Sequence, residues 1–378
     1  MKSSTGILTI DLSAIQSNWR CINSQLTGKT SASAVIKANA YGLGAAYVGP
    51  ALYQAGCREF FVATLEEALA ARQYLKPDAV VYVLGGVRPG AEPLFLENDL
   101  SPVLFTLEDT RRWLACTQKL ETPPACAIKI NTGMTRLGLD LQEWLSLLAS
   151  EEELRSLRPV LIMSHLACAD EPEHPLNYKQ LAHFQALADA IRSLLPDTRF
   201  SLANSSGVFL GSQWHFDLVR PGAALYGVNP QPLKPSPLKP VVQLALPVLQ
   251  VRELSENADV GYGATAQAFP LTRLAVVAGG YADGLHRTIG RQGFGMLDNH
   301  RVPVVGRISM DTTIFDISAA DIKGEHRMIQ VLSDELTVDS WTALTGALGY
   351  DILTSLGYRY RRCYLKDGVS IEQESLYE

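Results

Sequence analysis

The sequence contains no apolar run long enough to cross a bilayer, no basic cluster, and no cysteine spacing suited to a metal site or a disulfide framework. With 33 Lys and Arg against 39 Asp and Glu, the formal charge of −6 leaves no electrostatic footprint for nucleic acid. The segment from Met1 to Asp11 carries one lysine and no apolar core, so neither a signal peptide nor an anchor is expected and the cytoplasm is the expected compartment. The six cysteines (Cys21, Cys57, Cys116, Cys126, Cys168 and Cys363) lie far apart and read as free, mostly buried thiols. Membrane and nucleic-acid partners are thus disfavoured, and no metal is called for. What is present, 378 residues with 47% hydrophobic and 19% charged side chains, is enough for two globular domains working on a small molecule.

From Ser33 to Arg220, short apolar runs alternate with helix-period segments, the pattern of repeated βα units around a parallel sheet. Eight runs stand out: Ala34–Ala38, Phe60–Ala63, Ala79–Leu84, Pro102–Phe105, Ala125–Ile130, Val160–Ser164, Phe200–Ala203 and Phe216–Val219. Helices are predicted between them, among them Leu65–Leu75, where Thr64 and Glu67 have capping-box spacing, and Asn177–Leu195. Eight strands separated by helices predict a (β/α)8 barrel, with a doubly wound open sheet as the alternative. A proline-rich stretch at 229–240 ends the pattern, because proline continues neither a helix nor a central strand. The expected division is a barrel over 1–235 and a mainly β domain over 236–378. Strands are predicted there at Val241–Val251, Thr272–Gly279, Val302–Met310, Ile314–Ile317 and Met328–Leu332, and helix only at Ser340–Leu356, broken near Gly349.

Active sites of such barrels form at the C-terminal ends of the strands. Five of the eight ends carry unusual chemistry: Lys37 after the first, Lys129 with Asn131–Arg136 at the fifth, His165 after the sixth, Asn204–Gly207 after the seventh and Arg220–Ala223 after the eighth. Any one strand-end lysine is ordinarily a solvated surface group. Lys37, Lys129, Arg136, His165 and Arg220 on one rim are a cationic constellation. The small residues Ser205, Ser206, Gly207, Gly222 and Ala223 fall in the loops after strands seven and eight, where barrels place a phosphate. A phosphate there with a lysine across the mouth meets the needs of pyridoxal 5'-phosphate (PLP).

With these residues in view the sequence resembles the alanine racemases, PLP enzymes built as a barrel plus a β domain. The resemblance runs nearly end to end through AVIKANAYG at 34–42, IKINTGMTRLG at 128–138, SHLACAD at 164–170, DLVRPGAALYG at 217–227, GYGAT at 261–265, GGYADG at 279–284 and VGRISMD at 305–311. Departures are Leu43 where many members have His, Asn131 and Thr135 in the usual Asp-Thr-Gly-Met pattern, and a tail at 358–362 without the common proline.

The resemblance implies that Lys37 carries PLP, that Tyr41, Ser205, Gly222, Ala223 and Tyr350 contact its phosphate, and that Asn204 lies beside them. It implies that Lys37 and Tyr262 act as bases on opposite faces of the substrate α-carbon, with His165 and Arg220 favouring the Tyr262 anion. Arg220 would face the pyridine nitrogen, where most PLP enzymes place a carboxylate, which argues against a decarboxylase of the same architecture. Arg136 would bind the substrate carboxylate, and Lys129, on an apolar strand, would be a carbamate or a partner of a carboxylate. Asp170, Tyr281, Arg287 and Arg307 would line the substrate path, while Met310 and Tyr262 would reach the site of a partner subunit in a homodimer. Alanine is the implied substrate. A serine or broad-specificity racemase of the same fold is the alternative, and whether D-alanine serves the cell wall or catabolism is open.

Overall fold

A computed structural model describes residues 6–121, 124–320 and 327–374. The chain forms two compact units: Ile15–Leu238, and a second made of the residues before Ile15 with Lys239–Glu378. This differs from a division into 1–235 and 236–378 chiefly at the N-terminus. The segment β1 (Ile7–Asp11) alternates buried and half-buried residues, and its Leu8 and Ile10 lose all contact with solvent, so its apolar face belongs to a sheet. That sheet is the β unit's, entered by long-range pairing that no local pattern announces.

In the first unit β2 (Ser31–Ala32) and β3 (Ala34–Val35) are one strand interrupted at Ser33. There follow β4 (Glu59–Val62), β5 (Val80–Val83), β6 (Leu100–Leu104), β7 (Ala127–Lys129), β8 (Leu161–Met163), β9 (Arg199–Ser201) and β10 (Leu218–Val219). Strands β3 to β9 pair parallel in chain order. The ring closes because Asp217 N donates to Phe200 O (2.9 Å) and Arg220 N to Ala203 O (3.0 Å), while β10 pairs parallel with β2. The predicted eight-stranded barrel is therefore present. Its core takes Val35, Phe61, Tyr82, Val103, Ala127, Leu161, Met163 and Leu218 from seven of the strands, each large member contributing about 1.5–3 kcal/mol by leaving water. The helix Leu65–Tyr74 begins where expected, with Thr64 Oγ1 accepting the Glu67 N–H, and Pro175–Arg192 falls over the other predicted helix.

The second unit adds β11 (Val242–Glu253), the hairpin of β12 (Ala258–Val260) and β13 (Ala266–Ala268), β14 (Arg273–Ala278), β15 (Phe294–Leu297), β16 (His300–Pro303), β17 (Thr312–Asp316), β18 (Met328–Leu332), β19 (Arg361–Lys366) and β20 (Val369–Glu374). The large sheet runs β16-β15-β18-β11-β1-β19-β20, with β14 on β11 and β17 on β14. The predicted strand Val302–Met310 is corrected. Only its first two residues are strand; beyond them Gly306 takes φ 72° and Ser309 N closes a turn on Thr312 O (3.0 Å). The predicted helix becomes Val338–Thr345 and Gly349–Ser355, separated where Gly346 caps the first in the left-handed conformation. No helix among the described residues is long and apolar enough to cross a membrane. All six cysteines are free, but only Cys57 and Cys126 are buried, so the expectation of mostly buried thiols is corrected.

Candidate active site

At the first strand end β3 stops at Val35, short of the predicted run to Ala38. Ala38, Asn39, Ala40 and Tyr41 have φ of 51°, 54°, 54° and 56°, which makes the segment after Lys37 a single left-handed helical turn. Its bonds have α-helical spacing, from Ala40 N to Ile36 O and from Gly42 N to Ala38 O, both 2.8 Å. Left-handed geometry costs about 1–2 kcal/mol per non-glycine residue, so the turn must be held from outside. Asn39 Oδ1 accepts Ala45 N (2.8 Å), Ala40 is fully buried, and the Tyr41 ring packs at 4.7 Å on Tyr226, whose hydroxyl donates to Val35 O (2.9 Å). Lys37 emerges half-buried, its amine pKa lowered by burial and then by the Arg136 charge, with Glu67 opposing.

Across the rim, Ser205 Oγ accepts the N–H groups of Gly222 (3.0 Å) and Ala224 (3.1 Å), tying the loops after β9 and β10 together around Ala223. Asn204 Oδ1 caps Gly207 N (3.0 Å), and its amide donates to Leu166 O (3.3 Å). A Cβ on Gly222 would collide with the Tyr41 hydroxyl, so glycine is what lets that hydroxyl sit against the loop. Tyr41, Asn204, Ser205, Gly222 and Ala223 are thereby brought together as expected.

Arg220, 4% exposed, donates to Ser201 Oγ and to the carbonyls of Ser164 and Leu202. Its Nη2 lies 3.5 Å from His165 Nδ1. Because guanidinium only donates, that contact makes Nδ1 the acceptor and leaves the proton of a neutral imidazole on Nε2. Burial, Arg220 and Lys129 hold the His165 pKa well below its ordinary value, which keeps the ring neutral. Burial also lowers the Arg220 pKa, but a guanidinium retains its proton. Lys129, 6% exposed, is pushed down to about 8 by burial and then by Arg220, Arg136 and Lys37. Among the described residues Lys37, Lys129, Arg136 and Arg220 form no ion pair, so the reading of Lys129 as a direct partner of a carboxylate is set aside. Arg136 itself is exposed, on a loop organised by Asn131 Oδ1, which accepts Gly133 N (3.1 Å) and Thr135 N (2.9 Å).

Beneath these groups runs a buried relay that the sequence reading missed. Gln180 Nε2 donates to Thr132 Oγ1 (3.2 Å), which donates to Ser164 Oγ (2.7 Å), which donates to Ile130 O (2.8 Å). Gln180 also donates to His165 O (2.8 Å), so one side chain fixes both the fifth and sixth strand ends. Its signal was a glutamine on the apolar face of a helix. Asp170 sits exposed on the next loop, which Asn177 secures through the carbonyls of Cys168 and Glu171.

In the β unit, Tyr262 occupies a turn shaped by Gly261 and Gly263, with φ of 74° and 73°, and Gly263 lies against the Arg307 guanidinium. Tyr281 N and Ala282 N donate to Ser309 O and Met310 O (both 3.0 Å), an approach that a Cβ on Gly280 would block. Arg359, unnoticed in the sequence, locks the two loops together. It donates from Nε and Nη2 to Asp283 (2.6 and 2.7 Å) and from Nη1 to Asp311 (2.8 Å), while Asp283 Oδ2 accepts Gly280 N (3.0 Å). Tyr281 and Met310 are thus neighbours, and the Arg287 guanidinium carbon lies 5.9 Å from the Tyr281 ring centre. Tyr350 stands half-exposed on the helix Gly349–Ser355.

Known proteins are similar to this chain across both units. Residues 10–230 match the family described as the alanine racemase N-terminal domain, and residues 241–364 its C-terminal domain. An alanine racemase of Rhodospirillum rubrum is 46% identical over 95% of this chain and 96% of its own length, and one of Rhizobium meliloti is 42% identical over 96% and 97%. Among solved structures, the alanine racemase of Bartonella henselae with covalently bound pyridoxal phosphate aligns at a TM-score of 0.89, with 38% identity, 96% of this chain and all of that one covered. With both domains matched in order and relatives this similar over nearly their full length, the chain belongs to the alanine racemase family.

Proposed function

We propose that this chain interconverts L- and D-alanine with pyridoxal 5'-phosphate as cofactor, and that Lys37 and Tyr262 are the bases on opposite faces of the α-carbon. The observation carrying this reading is the barrel mouth, where Lys37, Lys129, Arg136, His165 and Arg220 converge beside the loops cross-linked by Ser205. These residues fit the group. Tyr41, Ser205, Gly222 and Ala223 offer hydroxyls and backbone against a phosphate, with Asn204 fixing their loop and Tyr350 added by resemblance. Arg220 is a buried cation without a carboxylate, suited to an acceptor nitrogen. Bound pyridoxal phosphate supplies a conjugated system that accepts the electron pair left at the α-carbon when its proton departs.

Arg220 donates a hydrogen bond but not its proton, which limits how far that pair is drawn away and favours reprotonation over decarboxylation or transamination. Lys37 Nζ, its proton affinity reduced by burial and Arg136, takes the proton of the D-isomer, and Tyr262 Oη takes that of the L-isomer. Neutral His165 presents an Nε2–H suited to an anionic oxygen. Arg136 grips the substrate carboxylate with its fork, and Lys129, drawn toward neutrality among cations, is suited to react with CO₂ and become the anion that orients it. Met310 and Tyr262 contact substrate, and Asp170, Tyr281, Arg287 and Arg307 line its path.

The exposure of Tyr262 (71%), Met310 (52%) and Tyr350 (43%) in one chain supports a homodimer in which the β unit of one copy completes the site of the other. Six free cysteines fit the reducing cytoplasm. Complementation tests the shared site: Lys37→Ala and Tyr262→Phe chains are mixed under conditions of verified subunit exchange. Hybrids with one intact site would restore about a quarter of wild-type activity at random exchange. No recovery would end the shared-site reading.

A further inference from the structure

Glu67 does not complete the capping box that its spacing from Thr64 predicts. Thr64 Oγ1 accepts the Glu67 N–H (3.3 Å), but the carboxylate bonds amides outside the helix instead of returning to the Thr64 N–H. Its Oε1 accepts the Ala38 N–H (2.6 Å) and its Oε2 the Ala63 N–H (2.7 Å). Ala38 follows Lys37 and is the first residue of the left-handed turn, while Ala63 follows β4. One side chain therefore joins the second strand end to the strained turn at the first, through two short charge-assisted bonds of the stronger kind.

The electrostatic setting is one-sided. Lys37 shares its field with the cations Arg136 and Lys129 and with the buried His165, beside which Arg220 adds a further cation, and Glu67 is the carboxylate set against them. Arg136 disfavours the Lys37 ammonium, and Glu67 is the carboxylate that favours it. We propose that Glu67 is the positioning residue for Lys37, its carboxylate anchoring the left-handed turn through Ala38 N–H and serving as the counter-charge of the Lys37 ammonium. The inference rests on Lys37 being the reacting lysine, but its two parts make separable demands. Glu67→Gln removes the charge while keeping one acceptor oxygen. Glu67→Asp keeps the charge but is too short to bridge both amides.

The test uses the full-length chain with two readouts. The pH profile of Lys37 acetylation by trace acetic anhydride, after removal of cofactor, is read by mass spectrometry on the Lys37 peptide. Amide hydrogen exchange at Ala38 is followed in the holoenzyme. Glu67→Gln is expected to move the acetylation midpoint down by about one pH unit, the effect of losing a nearby opposite charge. Glu67→Asp is expected to leave that midpoint near wild type while Ala38 exchanges about tenfold faster, the loss expected from one charge-assisted bond. The exposed neighbour change Glu66→Gln should alter neither. An unmoved midpoint in Glu67→Gln, or an equal shift in Glu67→Asp or Glu66→Gln, overturns the counter-charge. Unchanged Ala38 exchange in Glu67→Asp overturns the anchor. If these shifts appear in a chain that holds no cofactor on Lys37, the racemase reading fails while Glu67 stands, and active enzyme without the shifts has the reverse meaning.

Discussion

The barrel mouth and the β unit's loops both carry candidate residues but treat them in opposite ways. In the barrel Arg220 and Lys129 are 4% and 6% exposed, and their own chain sets the field around them. In the β unit Tyr262 and Met310 are 71% and 52% exposed, held by glycine turns and the Arg359 brace yet left in solvent by their own unit. Rigid loops alone position a side chain without changing its chemistry. Burial among like charges changes it. The barrel therefore contains a tuned set of groups within one unit, and the β unit holds its candidates on exposed loops.

The largest effect that would break this contrast concerns the two proposed bases, Lys37 and Tyr262. Tyr262→Phe is expected to lower net racemisation about 10²–10⁴-fold in both directions, the range for loss of one acid–base group. Lys37 should still exchange the α-hydrogen of D-alanine with deuterated solvent, while L-alanine exchanges far more slowly. Nuclear magnetic resonance of each isomer separates exchange from inversion. Equal residual exchange from both isomers would mean a single mobile base, and Tyr262 would then be only a surface residue of its unit.

A smaller effect tests the tuned side. The lowering of the Lys129 pKa from 10.5 to about 8 corresponds to about 3 kcal/mol of cost at neutral pH. Below pH 8 the lysine is charged in folded and unfolded chains alike and the cost is fully present. Between about 8 and 10.5 the unfolded chain binds the extra proton, so stability rises with pH and the cost disappears. In CO₂-free buffer Lys129→Met should therefore raise the melting temperature near pH 7, with a gain that shrinks toward pH 10. Bicarbonate should raise the melting temperature of the wild type and leave Lys129→Met unmoved. A bicarbonate-independent difference would exclude the carbamate.

Much of the barrel site was legible because strand ends are short, local features. A lysine, histidine or arginine directly after an apolar run marks its own place, and Lys37, Lys129, His165 and Arg220 all proved to lie on one rim. What escaped depended on distant partners. Nothing in Lys37-Ala-Asn-Ala-Tyr41 announces four left-handed residues, since the glycine comes only at Gly42. The β1 segment shows clear alternation, but its partners β11 and β19 lie more than two hundred residues away. Ile308 and Met310 read as strand by apolarity, although the left-handed Gly306 and the bond from Ser309 N to Thr312 O make a turn of the segment. Gln180 and Arg359 are polar residues whose importance lies wholly in what they reach.

The smallest expected effect sharpens the comparison most. Thr64 in the barrel and Thr337 in the β unit are N-caps of the same geometry, each accepting an N–H three residues on at 3.3 Å. Loss of either hydroxyl should cost about 1 kcal/mol, the usual value of a threonine cap, read as nearly equal shifts in denaturant midpoint if unfolding is concerted. Function should separate them. The Thr64 hydroxyl holds the backbone of Glu67, whose carboxylate holds Ala38 beside Lys37, whereas Thr337 caps a helix whose bonded partner is Ser340. Thr64→Ala should therefore speed Ala38 hydrogen exchange and lower kcat several-fold, and Thr337→Ala should do neither. Equal effects of the two on kcat would show that activity follows global stability, and the barrel mouth would lose its claim to being tuned locally.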